Sequence, residues 1–279
     1  MDWLRVFALV ILSAHLVSAA LEPLSAIALF SAIGVFSGIG GIFNTLLQSL
    51  MKRVSPPPIA VVGSIKNYSK HELKLLGTCE RPTGIEEGND RVNKPIWSVK
   101  AGETMTFQTE GTGKKNGLFC HFQTAAAIKT TTKQNGDVKK VPTELLFRFL
   151  YKVDRVKKES SQNLLVISVC NPKLLNTPCT RIKKDEMEKG GSDKFAFGTR
   201  AEHDFTKGAT ELRVNDDSNN LCVIATMSST SYAEMYIEIY PRHYEDLKEK
   251  TGDVAEEEAQ KEWSEFIERK CNHWGIGRS

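Results

Sequence analysis

The chain lacks the short motifs that assemble common catalytic sites. It has no glycine-rich phosphate loop, no Gly-x-Ser-x-Gly turn and no His-Glu-x-x-His helix. Its six histidines are scattered. Cys120 and His121 adjoin in sequence, but neighbouring residues of a strand point to opposite faces, so they cannot act as a nucleophile and its base. Catalysis is not expected, and no cofactor is implied. No two of the six cysteines stand at Cys-x-x-Cys spacing, which argues against zinc. The net charge of +3 over 279 residues is too small for a nucleic-acid surface, although it slightly favours an anionic one. There is no internal repeat. With 41% hydrophobic and 25% charged residues, the chain has the composition of a folded protein that buries a core.

A further absence is local. No charge occurs between Glu22 and Lys52. As a helix, roughly 28 such residues would span about 40 Å, more than a bilayer core of about 30 Å. Ile27, Phe30 and Ile33 belong to a first half that is apolar nearly all round. From Val35 the faces separate. Val35, Phe36, Ile39, Ile42, Phe43, Leu46, Leu47 and Leu50 fall on one side at helical spacing, and Ser37, Gly41, Asn44, Thr45, Gln48 and Ser49 on the other. Gly34, Gly38, Gly40 and Gly41 each cost a helix about 0.5–1 kcal/mol relative to alanine. Such a helix is marginal in water. In lipid, where every backbone group must be paired internally, it is favoured. An insertion-competent amphipathic helix, a single-pass anchor and a buried core helix all fit these features.

Residues 1–20 read as a secretory signal peptide, with Arg5 in its head, an apolar run over Val6 to Leu12 and a small-residue exit at Val17 to Ala20. Residues 21–53 then form the leading helix, and residues 54–58, with three consecutive prolines, a stiff connector. An even number of cysteines after a signal peptide suggests disulfides. Fifteen pairings are open, and Cys170 and Cys179 flank a short loop that a bridge could close. Asn67-Tyr68-Ser69 is a glycosylation sequon.

Residues 59–243 carry short alternating runs. Strands are predicted at Ile59 to Val62, Glu72 to Leu76, Ile96 to Phe107, Leu118 to Ile128, Glu144 to Val153, Leu164 to Val169, Phe195 to Thr199, Glu211 to Val214, Leu221 to Met227 and Ala233 to Tyr240. This pattern predicts a mainly β fold, a sandwich or barrel, with a short charged helix around Arg181 to Lys189. Residues 244–279 turn acidic and helical. Ala259, Trp263, Phe266 and Ile267 make a stripe that would lay this helix on the body, pinned through Cys271, and the alternative reading of the tail is a regulatory or protomer contact.

The order of these parts resembles the actinoporins, the pore-forming cytolysins of sea anemones. The likeness runs from about Leu24 to Tyr240. Val62-Gly63-Ser64-Ile65-Lys66-Asn67-Tyr68-Ser69 is similar to the family's first strand, and Val99-Lys100-Ala101-Gly102-Glu103 to a family turn. Leu146-Phe147-Arg148-Phe149-Leu150-Tyr151 is similar to its "LFSVPY" strand, and Met227 to Ile239 to its closing strand. The resemblance implies an actinoporin-like β-sandwich with an N-terminal amphipathic helix, here with an added C-terminal helix. It also implies a secreted protein that binds a target cell membrane, inserts its leading helix and forms a homo-oligomeric pore. The Val35-to-Leu50 stripe would then meet lipid, and Ser37, Gly41, Asn44, Thr45, Gln48 and Ser49 would line the pore.

Where the family carries an aromatic lipid-binding loop, this chain keeps Tyr151 and continues Lys152-Val153-Asp154-Arg155-Val156-Lys157-Lys158-Glu159. Aromatic rings suit zwitterionic interfaces. Basic residues instead gain about 1 kcal/mol each near an anionic leaflet. Tyr151, Lys152, Arg155, Lys157 and Lys158 are therefore the expected membrane-surface loop, with anionic lipids, acidic glycans or a protein receptor as its partner, and a solvated hairpin tip as the alternative. The competing expectation is a secreted or membrane-anchored binding module for a lipid, glycan or receptor, without pore activity.

Overall fold

A computed structural model describes residue 52 together with residues 59–82, 85, 90–94, 96–111, 113–131, 138–157, 160–170, 198–204, 211–216, 221–228, 230–248 and 256–272. The predicted signal peptide, leading helix, proline connector and Arg181-to-Lys189 helix lie outside these residues. So does Cys179.

The described chain is mainly β, in two sheets, with one helix near its C-terminus. The first sheet has the order β3-β4-β1-β11-β10-β9. It comprises β3 (Asp90–Lys94), β4 (Thr104–Gly111), β1 (Ile59–Asn67), β11 (Tyr232–Pro241), β10 (Leu221–Met227) and β9 (Glu211–Asp216). The second has the order β2-β5-β6-β7-β8. It comprises β2 (Lys74–Leu75), β5 (Lys115–Thr131), β6 (Val138–Lys157), β7 (Ser160–Cys170) and β8 (Gly198–Asp204). All pairings are antiparallel except β1 with β11, which brings the first strand beside the last.

One hydrophobic core draws on both sheets. Period-two alternation selects its members. In β11, Ala233, Met235, Ile237 and Ile239 join the core, while Glu234, Tyr236 and Glu238 belong to the other face. Phe107 from the first sheet and Phe149 and Tyr151 from the second stack with centroids 6.2 Å apart, closing the gap between layers. The Phe107 ring lies over Gly63, its cross-strand partner. A Cβ built on Gly63 would stand 2.0 Å from the ring, so this close approach requires glycine.

The predicted strand from Ile96 to Phe107 is shorter than expected. Gly102, at φ 75°, turns the chain, and β4 begins at Thr104. Before the turn, Val99 bonds Leu73 by an isolated bridge. Edge strand β3 was not predicted, because Asp-Arg-Val-Asn-Lys has a single apolar residue and no alternation.

The tail docks as expected. Its helix, α1, spans Glu256–Asn272 and is preceded by a 3-10 turn at Tyr244–Asp246. Ala259, Trp263, Phe266 and Ile267 are all buried, in a second cluster with Tyr68, Ile224, Tyr240 and Leu247 on the outer side of the first sheet. Trp263 Nε1 donates to the Pro241 carbonyl at 3.2 Å, and Cys271 is disulfide-bonded to Cys222 of β10. A second disulfide joins Cys79 to Cys120 of β5. Asp246 links this region to the loop after β1, at 3.0 Å from Lys70 Nζ and 3.5 Å from His71 Nε2. The His71 hydrogen bond and the Lys70 charge hold its carboxyl down at about 2, against the cost of burial.

Candidate functional site

Strand directions sort the loops between two ends of the body. At the end where β1 begins, Ile59 lies opposite Gly111, and the Ala60 N–H donates to the Ser231 carbonyl at 3.0 Å. The β4–β5 turn, the β6–β7 hairpin tip and the β10–β11 turn gather there, because β4, β6 and β10 all run toward that end. This is the entry end: the polypeptide preceding Ile59 must reach the body here.

The entry end carries both signs of charge, with Asp90, Asp204 and Glu211 at strand ends there, and its basic residues gather at one corner, where β5 begins and β6 ends. Lys114 and Lys115 are exposed at the start of β5, and Arg155, half-buried, stands beside them near the end of β6. The Arg155 N–H donates to the Lys114 carbonyl at 2.7 Å, and Lys115 Nζ lies 3.5 Å from Asp154 Oδ2. That ion pair is half-exposed and contributes little to stability. The backbone of Lys157 closes the ladder opposite Ser160. Two buried asparagines brace the turns from below. Asn116 Nδ2 donates to Thr109 Oγ1 at 3.1 Å, and Thr109 shares a 2.6 Å hydrogen bond with the Tyr151 hydroxyl. Asn163 Nδ2 donates to the Ser228 carbonyl and, at 3.0 Å, to the Thr230 carbonyl, tying β7 to the β10–β11 turn. Buried side-chain hydrogen bonds of this kind restrain the loops that they join.

Two expectations for this loop need correction. Tyr151 is not at the membrane surface. It is fully buried in the core, on the inward face of β6, and its hydroxyl is taken up by Thr109. Lys152 is not in a loop either. It pairs with Gly117 and Leu164 in the middle of the second sheet. Both errors have one cause: the β6–β7 ladder continues to Lys157 and Ser160, so most of the expected loop belongs to β6. Arg155 and Lys157 remain near the tip, while Lys158 lies outside the described residues. Lys114 and Lys115 were missed because their nearness to Arg155 depends on the β5–β6 register. The Gly111-Thr112-Gly113 run between β4 and β5 was the available clue.

All expected membrane-inserting residues (Ile27 to Leu50) and pore-lining residues (Ser37 to Ser49) lie outside the described residues. Among the described residues, no helix is long and apolar enough to cross a membrane, and no group of His, Cys, Asp or Glu side chains is placed to hold a metal ion.

The sequon is overturned as a modification site. Asn67 is fully buried at the end of β1. Its Nδ2 donates to the His71 carbonyl at 2.7 Å and the Lys100 carbonyl at 3.2 Å, and its Oδ1 accepts from the Ser69 N–H and hydroxyl. A glycan on Nδ2 would break these bonds in a closed space. Asn67→Ala leaves several of these buried groups unpaired and is expected to cost about 3 kcal/mol. Chemical denaturation measures that loss, and mass spectrometry of secreted wild type is expected to find Asn67 unmodified.

Cys120 and His121 face opposite ways. Cys120 is in the core, whereas His121 meets Phe119 edge-on at 4.4 Å on the outer face of the second sheet. Burial, and then the Arg148 charge across the strand pair, push the His121 pKa down to about 4 from 6.5. The unfolded chain therefore binds a proton more readily than the native one between these values. Stability is full above about pH 6.5 and falls as pH drops toward 4. With allowance for partial exposure, the loss between pH 7 and 5 is about 1–2 kcal/mol. Melting curves at the two pH values are expected to show a larger drop for wild type than for His121→Gln.

Compared with known proteins, the chain matches no family model and no curated protein.

Proposed function

We propose that this is a secreted, membrane-binding protein whose two sheets form an actinoporin-like β-sandwich. The basic corner of the entry end docks on anionic lipid, and the apolar leading segment is delivered to the bilayer, where several copies make a pore. The observation that supports this reading is a coincidence of place. The strand that receives the leading segment begins at the same end as Lys114, Lys115 and Arg155. A surface attracted through these residues therefore sits at the root of the one long uncharged stretch of the chain. Each basic residue near an anionic leaflet contributes about 1 kcal/mol, and the leading segment then exchanges water for acyl chains, in which its helix is stable. Two disulfides fit an oxidising compartment.

The test is dye release from vesicles containing about a third anionic lipid. Chain starting at Leu21 is expected to release the dye, and chain starting at Ser55 to bind without release. Binding by both with release by neither, across all headgroups, would establish a binding module instead.

A further inference from the structure

At the end opposite the entry end, β5 and β6 outrun their neighbours. β2 pairs with β5 only at Phe122 and Gln123, and β7 reaches β6 only as far as Leu146. Beyond these points, β5 and β6 continue together through eight more pairs, from Thr124 with Leu145 to Thr131 with Val138. At about 3.4 Å per residue, this two-stranded arm projects roughly 25 Å. Among the described residues, no third strand joins either of its edges. Its strands carry Lys129, Lys139 and Lys140 against one acidic residue, Glu144. Lysines commonly protect a bare edge. Edge protection does not explain why Lys129 stands directly opposite Lys140, because like charges at facing positions destabilise a two-stranded ladder. The placement makes sense if the arm meets an acidic partner.

The chain itself carries such a surface at the same end. α1 has six glutamates against three basic residues, and Glu256, Glu257, Glu258, Glu265 and Glu268 are exposed. Acidic residues in a first turn complement the helix dipole, but Glu265 and Glu268 lie well beyond that turn. The helix packs on the outer side of the first sheet, whereas the arm extends from the second. A basic arm and an acidic helix on one chain are complementary between copies, either reciprocally about a two-fold or head-to-tail, which closes into a ring when the rotation permits.

We infer that the arm of one copy docks on the acidic face of α1 of the next, as the contact that orders neighbouring protomers. The occupant is a second copy of this chain. The inference rests on the membrane reading only for orientation: with the entry end on lipid, arm and helix both stand clear of the bilayer.

A charge swap tests it in the full mature chain. One variant combines Lys129→Glu, Lys139→Glu and Lys140→Glu. A second combines Glu258→Lys, Glu265→Lys and Glu268→Lys, and a third carries all six changes. Sedimentation velocity at low salt, without lipid, reads self-association. Vesicle co-sedimentation separately reads membrane binding. Each single reversal is expected to weaken self-association about tenfold, and the six-fold variant to restore it. Membrane binding is expected to be unchanged by the arm reversal. The inference is overturned if the six-fold variant stays as weak as the single reversals, or if wild type is monomeric with and without vesicles. A loss of vesicle binding on arm reversal, with self-association intact, would also overturn it by making the arm a lipid contact. Failure of the membrane reading alone would leave the lipid-free measurement standing.

Discussion

Replacing Lys114, Lys115 and Arg155 together by Ala is expected to weaken binding to anionic vesicles by about 100-fold. Three basic residues at about 1 kcal/mol each give about 3 kcal/mol, and each 1.4 kcal/mol is a factor of ten. Fold stability is expected to change little, because Lys114 and Lys115 are exposed and the Lys115–Asp154 ion pair is half-exposed. Raising salt should erase most of the difference, since screening acts on both proteins and leaves the triple variant less to lose. Co-sedimentation across an ionic-strength series measures this. Equal partitioning of wild type and triple variant at low salt would remove the entry end from membrane recognition. Substituting Lys152 alone is the natural control, because that residue stands mid-sheet.

The second large effect concerns the tail. The Cys222–Cys271 bridge closes a loop with a sequence separation of 49. Loop-closure entropy for that length is about 4 kcal/mol. Cys222→Ser with Cys271→Ser is therefore expected to lower the melting temperature by roughly 10 °C. The loss should begin locally. Trp263, Phe266 and Ile267 would still cover Tyr240 and Ile224, but the last turn of α1 would be untethered. Hydrogen exchange is expected to speed up first in residues 256–272, before β10 and β11. A double variant that melts with wild type and keeps its α1 protection would show that side-chain burial alone holds the helix.

These two predictions differ in how far the residues announce them. The tail was legible because Ala259, Trp263, Phe266 and Ile267 recur at helical spacing on an otherwise charged segment, and a lone cysteine follows them. The closing strand was equally clear, since Met235, Ile237 and Ile239 alternate with polar neighbours. β3 was hidden because Val92 is its only apolar residue and its pairing comes from β4. The sequon was misleading for a related reason. Asn-Tyr-Ser specifies a glycosylation pattern, but whether Asn67 faces water depends on the turn at Gly102 and the bridge between Leu73 and Val99. The entry end was half visible. Arg155 and Lys157 stood out as a basic run, while their partners Lys114 and Lys115 come from another hairpin, and only cross-strand register brings them together. The same register buries Tyr151, whose place in a family-like motif had suggested exposure.

The direct test of the central claim is which end of the body touches lipid. An environment-sensitive fluorophore is attached through Lys114→Cys at the entry end or Ala101→Cys at the far end. Each labelled protein is then mixed with anionic vesicles carrying a headgroup quencher. Quenching and a blue shift are expected at position 114 and neither at position 101. Quenching confined to position 101, or absent from both while the protein co-sediments with the vesicles, would contradict the claim.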